Sequence, residues 1–277
     1  MTARALLPIV VLLAACQPNR TFVPKSAYTA DAGVPRCLPN LDGQIDEAEL
    51  RAALGVPESV LVSPQGVHRT VNLDGAIDAQ GHRVWDFGTD YADDQLSRPE
   101  AQPLAGKWYA ASFPSGQYAT ALDAAGTLEG VYQDTGSELL LLGIASAQEH
   151  PAQGKTLLVY STPAALFRFP LTVGKSWVTV AQVSGGTIDD LPYAGKDTYE
   201  ISIDQSGQLG LPDLTFTQAL RVRTHLTSEP VVGNAVSRRQ VSWVFECFGE
   251  VARATSLDDE PSDDFTTTSE LRRLGLQ

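Results

Sequence analysis

The chain has 277 residues, of which 33 are acidic and 20 are Lys or Arg, so its formal net charge is −13. Nucleic acid and anionic lipid surfaces repel so acidic a chain, which excludes a role in binding polyanions. Its hydrophobic fraction of 43% is ordinary for a globular protein with a buried core, and it excludes a disordered secreted tail.

The first sixteen residues are organised as a secretory signal. Arg4 precedes an apolar stretch, residues 5–15, that is too short to cross a bilayer as a permanent helix. The stretch ends in the motif Leu13-Ala14-Ala15-Cys16, which resembles the lipobox of bacterial lipoproteins. An ordinary secretory signal that contains a cysteine is the alternative interpretation.

The lipobox implies that residues 1–15 are removed as a signal peptide and that Cys16 becomes an acylated, palmitate-bearing N-terminus. Gln17 follows it, and not the aspartate that retains many Gram-negative lipoproteins in the inner membrane, so we expect the outer membrane as the location in the cell envelope. Removal of Arg4 leaves 19 basic and 33 acidic side chains, a net charge of −14. A domain with this charge is expected to attach through its lipid and not to lie on the membrane.

Residues 16–36 are predicted to be the lipidated N-terminus and a flexible tether, because the segment has three prolines, small polar residues and no apolar period. A β-rich domain is predicted over 37–277. Near its start, residues 45–54 predict one short helix, with Asp46 and Glu49 as its capping box.

The pattern Asn-Leu-Asp-Gly-x-Ile-Asp occurs at 40–46 and again at 72–78, and it resembles the middle of an EF-hand calcium loop. In the first copy the candidate calcium ligands are Asn40, Asp42, Gln44, Asp46 and Glu49. Leu38 occupies the first loop position, where an aspartate belongs, and the twelfth position of the second copy is Gly81. Two ordinary Asp-Gly turns are the alternative.

From residue 59 onwards, alternation of apolar and polar residues between turn signals predicts β-strands. The predicted strands are 59–62, 83–87, 108–113, 118–122, 130–134, 139–146, 156–161, 165–169, 176–183, 197–204, 214–227 and 238–248. Hairpin turns are expected at Gly207 and at Gly233-Asn234. The acidic segment 256–269 is predicted to be a mobile loop, and 270–276 a last strand.

The predicted fold is therefore mainly β, an antiparallel sandwich or curled sheet with one short N-terminal helix. Pro163, Pro170 and Gly174 also allow a break between two β subdomains near residue 165. Once Cys16 is lipidated, Cys37 and Cys247 remain. An even pair in an oxidising compartment predicts a disulfide, and two buried free thiols are the alternative.

No catalytic motif is recognisable. The four histidines have no zinc-ligand spacing, and the chain contains no G-x-S-x-G and no complete P-loop. An enzymatic interpretation would require His82 or His150 to meet two carboxylates in a pocket. We therefore expect a protein that is not an enzyme, with no cofactor unless calcium binds.

The first functional hypothesis is an outer-membrane-anchored lipoprotein with a non-enzymatic binding or structural β domain, attached by its lipid and able to bind an envelope protein. The second is a periplasmic carrier of a hydrophobic ligand. Long alternating strands with a helix near the start loosely resemble the half-barrel lipoproteins that carry lipids or lipoproteins. The third is a calcium-stabilised interaction module. No nucleic acid partner is expected, and the sequence leaves the oligomeric state open.

Overall fold

The computed structural model describes residues 37–276. Cys37–Gln277 form one compact unit. The fold is mainly β, with 55% strand, 3% helix and antiparallel sheets, as the alternation predicted. The signal peptide, Cys16 and the tether, all predicted within residues 1–36, lie outside the described residues.

The described residues contain eighteen strands, one α-helix and one 3₁₀ turn at Ala110–Ser112. In chain order the elements are β1 (Gln44–Ile45), α1 (Glu47–Leu50), β2 (Val60–Val62), β3 (Arg69–Thr70), β4 (Ala76–Ile77), β5 (Arg83–Asp86), β6 (Gln95–Ser97), β7 (Gln102–Pro103), β8 (Tyr118–Ala121), β9 (Leu128–Asp134), β10 (Glu138–Ser146), β11 (Leu157–Arg168), β12 (Leu171–Thr172), β13 (Ser176–Ile188), β14 (Leu191–Gly210), β15 (Thr215–Pro230), β16 (Val236–Phe245), β17 (Gly249–Asp258) and β18 (Thr267–Leu274).

The sheet has two groups of strands. The first runs β7-β8-β9-β10-β11, and the second runs β13-β14-β15-β16-β17-β18-β2-β6. They join at β11 and β13, whose register is the single pair Leu157–Thr187. Side chains of β13 replace backbone pairing nearby: Trp177 Nε1 donates to the Ala165 carbonyl at 2.8 Å, and Thr179 Oγ1 accepts from the Ala165 N–H at 3.2 Å.

The main core lies between these two groups. Tyr160 of β11 belongs to the same buried cluster as Tyr199 of β14. The other members of this cluster are Ile45, Tyr132, Leu141, Leu158, Ala164, Leu171, Trp177, Ala181, Val183, Ile201, Ile203, Leu220, Val222 and Val244. One cluster with members from both groups is what a curled sheet or sandwich requires, because the inner faces must cover each other.

A second core covers the opposite face of the C-terminal strands. Trp243 of β16 makes edge-to-face contacts with Trp85 of β5 at 5.7 Å and with Phe87 at 4.8 Å between ring centroids. A third cluster on β8, β9 and β10 contains Tyr109 and Phe113. On this face, opposite to the main core, the middle of the sheet over β13, β14 and β15 is open to solvent and contains the groove described below.

The hairpin turn predicted at Gly207 is wrong, because β14 passes through this residue. The turn lies just beyond the strand, where the Leu211 N–H donates to the Leu214 carbonyl at 2.8 Å. β5 pairs with β14 in parallel, and a Cβ added to Gly207 would lie 2.4 Å from the Arg83 carbonyl oxygen. The glycine is needed for this close approach of two backbones and not for a turn.

Three other local predictions also differ from the structure. The helix is only Glu47–Leu50, and Leu54 instead forms a β-bridge with Ala101. The strand predicted at 108–113 is wrong, because these residues form the 3₁₀ turn and its flanks. The strands predicted at 156–161 and 165–169 are one strand, β11, which runs through residue 165.

The start of the domain is attached to the β16–β17 turn. Cys37 and Cys247 form the predicted disulfide. The buried Glu246 carboxylate accepts the backbone N–H groups of Asn40 at 2.6 Å and Leu41 at 2.9 Å. The Cys247 N–H donates to the Glu49 carbonyl at 2.9 Å, so covalent and hydrogen bonds fix the same segment.

Candidate binding groove

A groove of about 640 Å³ crosses the solvent face of β13, β14, β15 and β16. The strands are antiparallel, so residues at alternate positions form rows across this face. The two rows that line the groove are Val178–Glu200–His225–Arg239 and Ser176–Ser202–Arg223–Val241. Four strands thus contribute hydroxyl, carboxylate, imidazole, guanidinium and aliphatic groups to one concave surface.

The loop 259–266, between β17 and β18, forms one wall of the groove. Arg239 Nε donates to the Glu260 carbonyl at 2.8 Å, and its Nη1 donates to the Asp263 carboxylate. Arg223 Nη1 donates to the Asp263 carbonyl at 2.6 Å, and Phe265 is buried. The sequence predicted a mobile loop over 256–269, but β17 and β18 extend into this segment and arginines of the sheet hold the remainder.

Asp204 holds Arg223 in position at the floor of the groove. Its carboxylate accepts from Arg223 Nε at 2.7 Å and from Arg221 Nε and Nη2 at 2.8 and 2.7 Å. Burial alone would raise the pKa of Asp204, but the hydrogen bonds from the two arginines outweigh it and hold the pKa below its usual range. Arg221 itself is buried against the Trp85 ring, so the network is anchored in the second core.

Asp204→Asn is expected to lower the free energy of unfolding by about 2 kcal/mol at pH 7, because the three charge-assisted hydrogen bonds from Arg221 and Arg223 weaken. The folded-state pKa of Asp204 lies below its unfolded value, so this stability is present above about pH 4 and is lost as the pH falls through the folded-state pKa. Urea denaturation of both proteins at pH 7, 5 and 3 checks this expectation. A difference that stays constant over this range would contradict it.

A second, smaller pocket of about 280 Å³ lies between α1 and the end of β9. The Glu47 and Asp134 side chains both line this pocket, and Arg51 pairs with Glu47 at 2.8 Å. Burial, and then the Glu47 carboxyl, raise the pKa of Asp134, whereas Arg51 lowers the pKa of Glu47. The pocket therefore brings a carboxyl of α1 beside a carboxyl of β9.

Comparison with protein-family models, with curated proteins and with solved structures returned no match. Within residues 37–276, no helix is both long enough and apolar enough to cross a bilayer. The lipidation site predicted at Cys16 lies outside this part of the chain.

The candidate calcium ligands hydrogen-bond to one another and to the local backbone. The Asp42 N–H donates to Asn40 Oδ1 at 2.8 Å, and the Gln44 N–H donates to Asp42 Oδ1 at 3.0 Å. Glu49 accepts from the Asp46 N–H at 2.8 Å and from Asn40 Nδ2 at 3.1 Å. The described residues contain no group of three or more His, Cys, Asp or Glu placed to hold a metal. Calcium binding at this loop stays a prediction.

The histidines are dispersed over the domain. His82 is exposed beside Asp78 at 3.4 Å, His150 is exposed, and His68 Nδ1 lies 2.9 Å from the Thr268 carbonyl. The histidine in the groove is His225, whose Nδ1 lies 2.9 Å from Glu200 Oε2. Sequence reasoning did not select this pair, because it depends on the register of two strands whose paired residues are 25 positions apart.

Proposed function

We propose that the chain is an outer-membrane-anchored lipoprotein of the cell envelope, whose β domain binds a partner in the groove without catalysing a reaction. The groove is the observation that carries this proposal. Its volume of about 640 Å³ lies within the range of roughly 300–1,000 Å³ that is typical of ligand sites. Its lining combines charged, hydroxyl and aliphatic side chains, which suits selective binding.

Two features support the envelope location. The motif that ends at Cys16 resembles a lipobox. The disulfide between Cys37 and Cys247 is the second feature, because such bonds persist in oxidising compartments and are rare in the cytosol.

The groove chemistry favours binding over catalysis. Glu200 and His225 have the geometry of a general base and the carboxylate that orients it. Ser176 and Ser202 line the same groove, but within residues 37–276 neither serine hydroxyl hydrogen-bonds to His225. Among the residues that the structure describes, neither serine is thus in hydrogen-bonding contact with the pair as a nucleophile.

The packed interior favours a surface binding module over a carrier of hydrophobic ligands. A carrier needs an apolar cavity large enough to bury acyl chains. Between the two groups of strands, the space is instead filled by the buried cluster that contains Tyr160, Trp177 and Tyr199. The groove itself has four charged side chains in its lining, Glu200, Arg223, Arg239 and Asp263, which do not suit an acyl chain.

The membrane attachment is tested by comparing wild type with Cys16→Ser. We expect the wild-type protein in the membrane fraction, with the mass of an acylated N-terminal cysteine, and the variant in the soluble fraction. Cys37→Ser is the matched control, because it removes a different cysteine and should stay membrane-bound. Unacylated wild-type protein in the soluble fraction would contradict the proposal.

The binding role is tested with a photo-crosslinking amino acid at Val178, in the groove, and at Ile77 as a control. Both side chains are exposed, at 58% and 57%, but Ile77 lies on β4, outside the groove. We expect a discrete crosslinked species in cells only for position 178. The same pattern at both positions, or none at 178, would count against a binding groove.

A further inference from the structure

The charged groups of the groove differ in how far they face solvent. The Glu200 and Asp263 side chains are 58% and 71% exposed, whereas Arg223 and Arg239 are only 17% and 19% exposed. Both arginines are already held by carboxylates or carbonyls of the wall. A ligand that enters the groove therefore meets carboxylate oxygens before it meets guanidinium groups.

The net charge of the side chains around the groove is also negative. Four carboxylates and three guanidinium groups form the groove network, which gives a formal charge of −1: Glu200, Asp204, Asp263, Asp264, Arg221, Arg223 and Arg239. Concave walls focus such a field and raise the local concentration of cations. His225 hydrogen-bonds only one oxygen of Glu200, Oε2, and within residues 37–276 the other, Oε1, has no hydrogen bond and can accept from a ligand.

An exposed apolar strip, formed by Val178 and Val180, lies beside the Glu200 carboxylate on the floor of the groove. Val178 is paired across the strands with Glu200, and Val180 follows it on the same face of β13. These valines are 58% and 42% exposed. A lysine side chain fits this combination, because its alkyl stem can cover a valine while its ammonium group reaches the carboxylate.

We propose that the groove binds lysine side chains of an extended, basic segment of a partner protein. This inference rests on the proposed binding role and names the chemistry of the ligand. A polypeptide is favoured over a free polyamine because the valine strip continues along β13 to Val180. An extended segment covers such a strip, whereas a small cation bound at Glu200 leaves most of it exposed.

Fluorescence anisotropy with a labelled pentalysine peptide tests the inference on the detergent-solubilised full chain. Glu200→Gln is expected to weaken binding about fivefold, as loss of one charge pair predicts. Glu229→Gln is the matched control, because Glu229 of β15 lies on the groove face of the sheet but outside the groove. Its side chain is 42% exposed and pairs with Lys196 at 2.9 Å. The affinity of this variant should stay close to that of wild type. Circular dichroism confirms that both variants are folded.

Val180→Asn distinguishes a peptide from a small polyamine. It should weaken binding of the peptide and leave spermidine unaffected, because a small cation bound at Glu200 does not cover Val180. Spermidine that binds as tightly as the peptide, with the same loss in Glu200→Gln, would overturn the assignment to a partner protein. Equal losses in Glu200→Gln and Glu229→Gln would show general attraction to an acidic surface and would also overturn it.

Absence of peptide binding would overturn the lysine assignment. If crosslinking at position 178 persists in that case, the groove still binds a partner of other chemistry and the proposed function stands. If crosslinking is also absent, the binding role fails together with the inference.

Discussion

Replacing both Cys37 and Cys247 with serine should lower the free energy of unfolding by about 5 kcal/mol. The bond closes a loop between residues that are 210 positions apart. In the chain-entropy description, removing so long a loop closure gives the unfolded chain about 5 kcal/mol of additional conformational freedom. Since a domain of this kind has a net stability of about 5–15 kcal/mol, the variant should be close to unfolding at elevated temperature.

The native contacts around the bond explain why the variant should still fold. Glu246 holds the N–H groups of Asn40 and Leu41, and these hydrogen bonds do not depend on the sulfur atoms. The expected loss therefore arises chiefly in the unfolded state, which becomes less compact. The slope of urea denaturation should accordingly increase as well.

Urea denaturation of wild type and of the double variant, each with and without a reductant, checks this prediction. Reductant should lower the stability of the wild-type protein to that of the variant and should leave the variant unchanged. A wild-type protein whose stability is insensitive to reductant would show that the bond does not form or does not stabilise the fold.

The fold class could be predicted from the sequence because alternation is a local property of each strand. Long strands such as β15 and β16 alternate well, and Gly233-Asn234 lies in the turn between them, as predicted. The cysteine pair was also predictable, because the prediction that Cys16 is lipidated leaves only Cys37 and Cys247 to form a disulfide. Counting cysteines and recognising alternation along a strand require no knowledge of tertiary packing.

Strand β17 was missed because three of its four buried positions, Ala252, Ala254 and Ser256, carry small side chains. Ala252 and Ala254 are almost fully buried in the second core, where they pack with the bulky Trp243 and its neighbours. An alanine does not give the hydrophobic alternation that marks a strand. The segment 108–113 misled in the opposite way: Tyr109 and Phe113 meet at 6.0 Å through a helical turn, which tertiary packing favours over their strand-like pattern.

The groove could not be predicted, because its residues meet only through strand register and a long loop. Glu200 and His225 face each other because β14 pairs with β15, and a shift of one residue would separate them. The wall depends on Arg223 and Arg239 reaching carbonyl groups of the loop, for which composition gives no signal. From its acidic residues, the loop was predicted only to be solvated and mobile.

Arg273→Met should destabilise the protein by about 3–5 kcal/mol, far more than loss of a surface arginine. Arg273 is 1% exposed, and its Nη1 donates to the carbonyls of Phe87 and Thr89 while its Nη2 donates to the Asp94 carboxylate. Arg69 also pairs with Asp94, at 3.1 Å. Removal of Arg273 leaves a buried carboxylate with one cation and leaves two carbonyls without this donor, and breaking a buried pair in this way costs about 3–5 kcal/mol.

The control is Arg238→Met, because Arg238 pairs with Asp258 at 2.6 Å but both side chains are more than half exposed. This variant should lose less than about 1 kcal/mol. Adding Asp94→Asn to Arg273→Met removes the uncompensated charge, so the double variant should be less destabilised than the sum of the single changes by about 1–3 kcal/mol. Urea denaturation of the four proteins and wild type measures these differences. Equal losses for Arg273→Met and Arg238→Met would mean that the buried ion pair does not hold the segment 87–94 against β18.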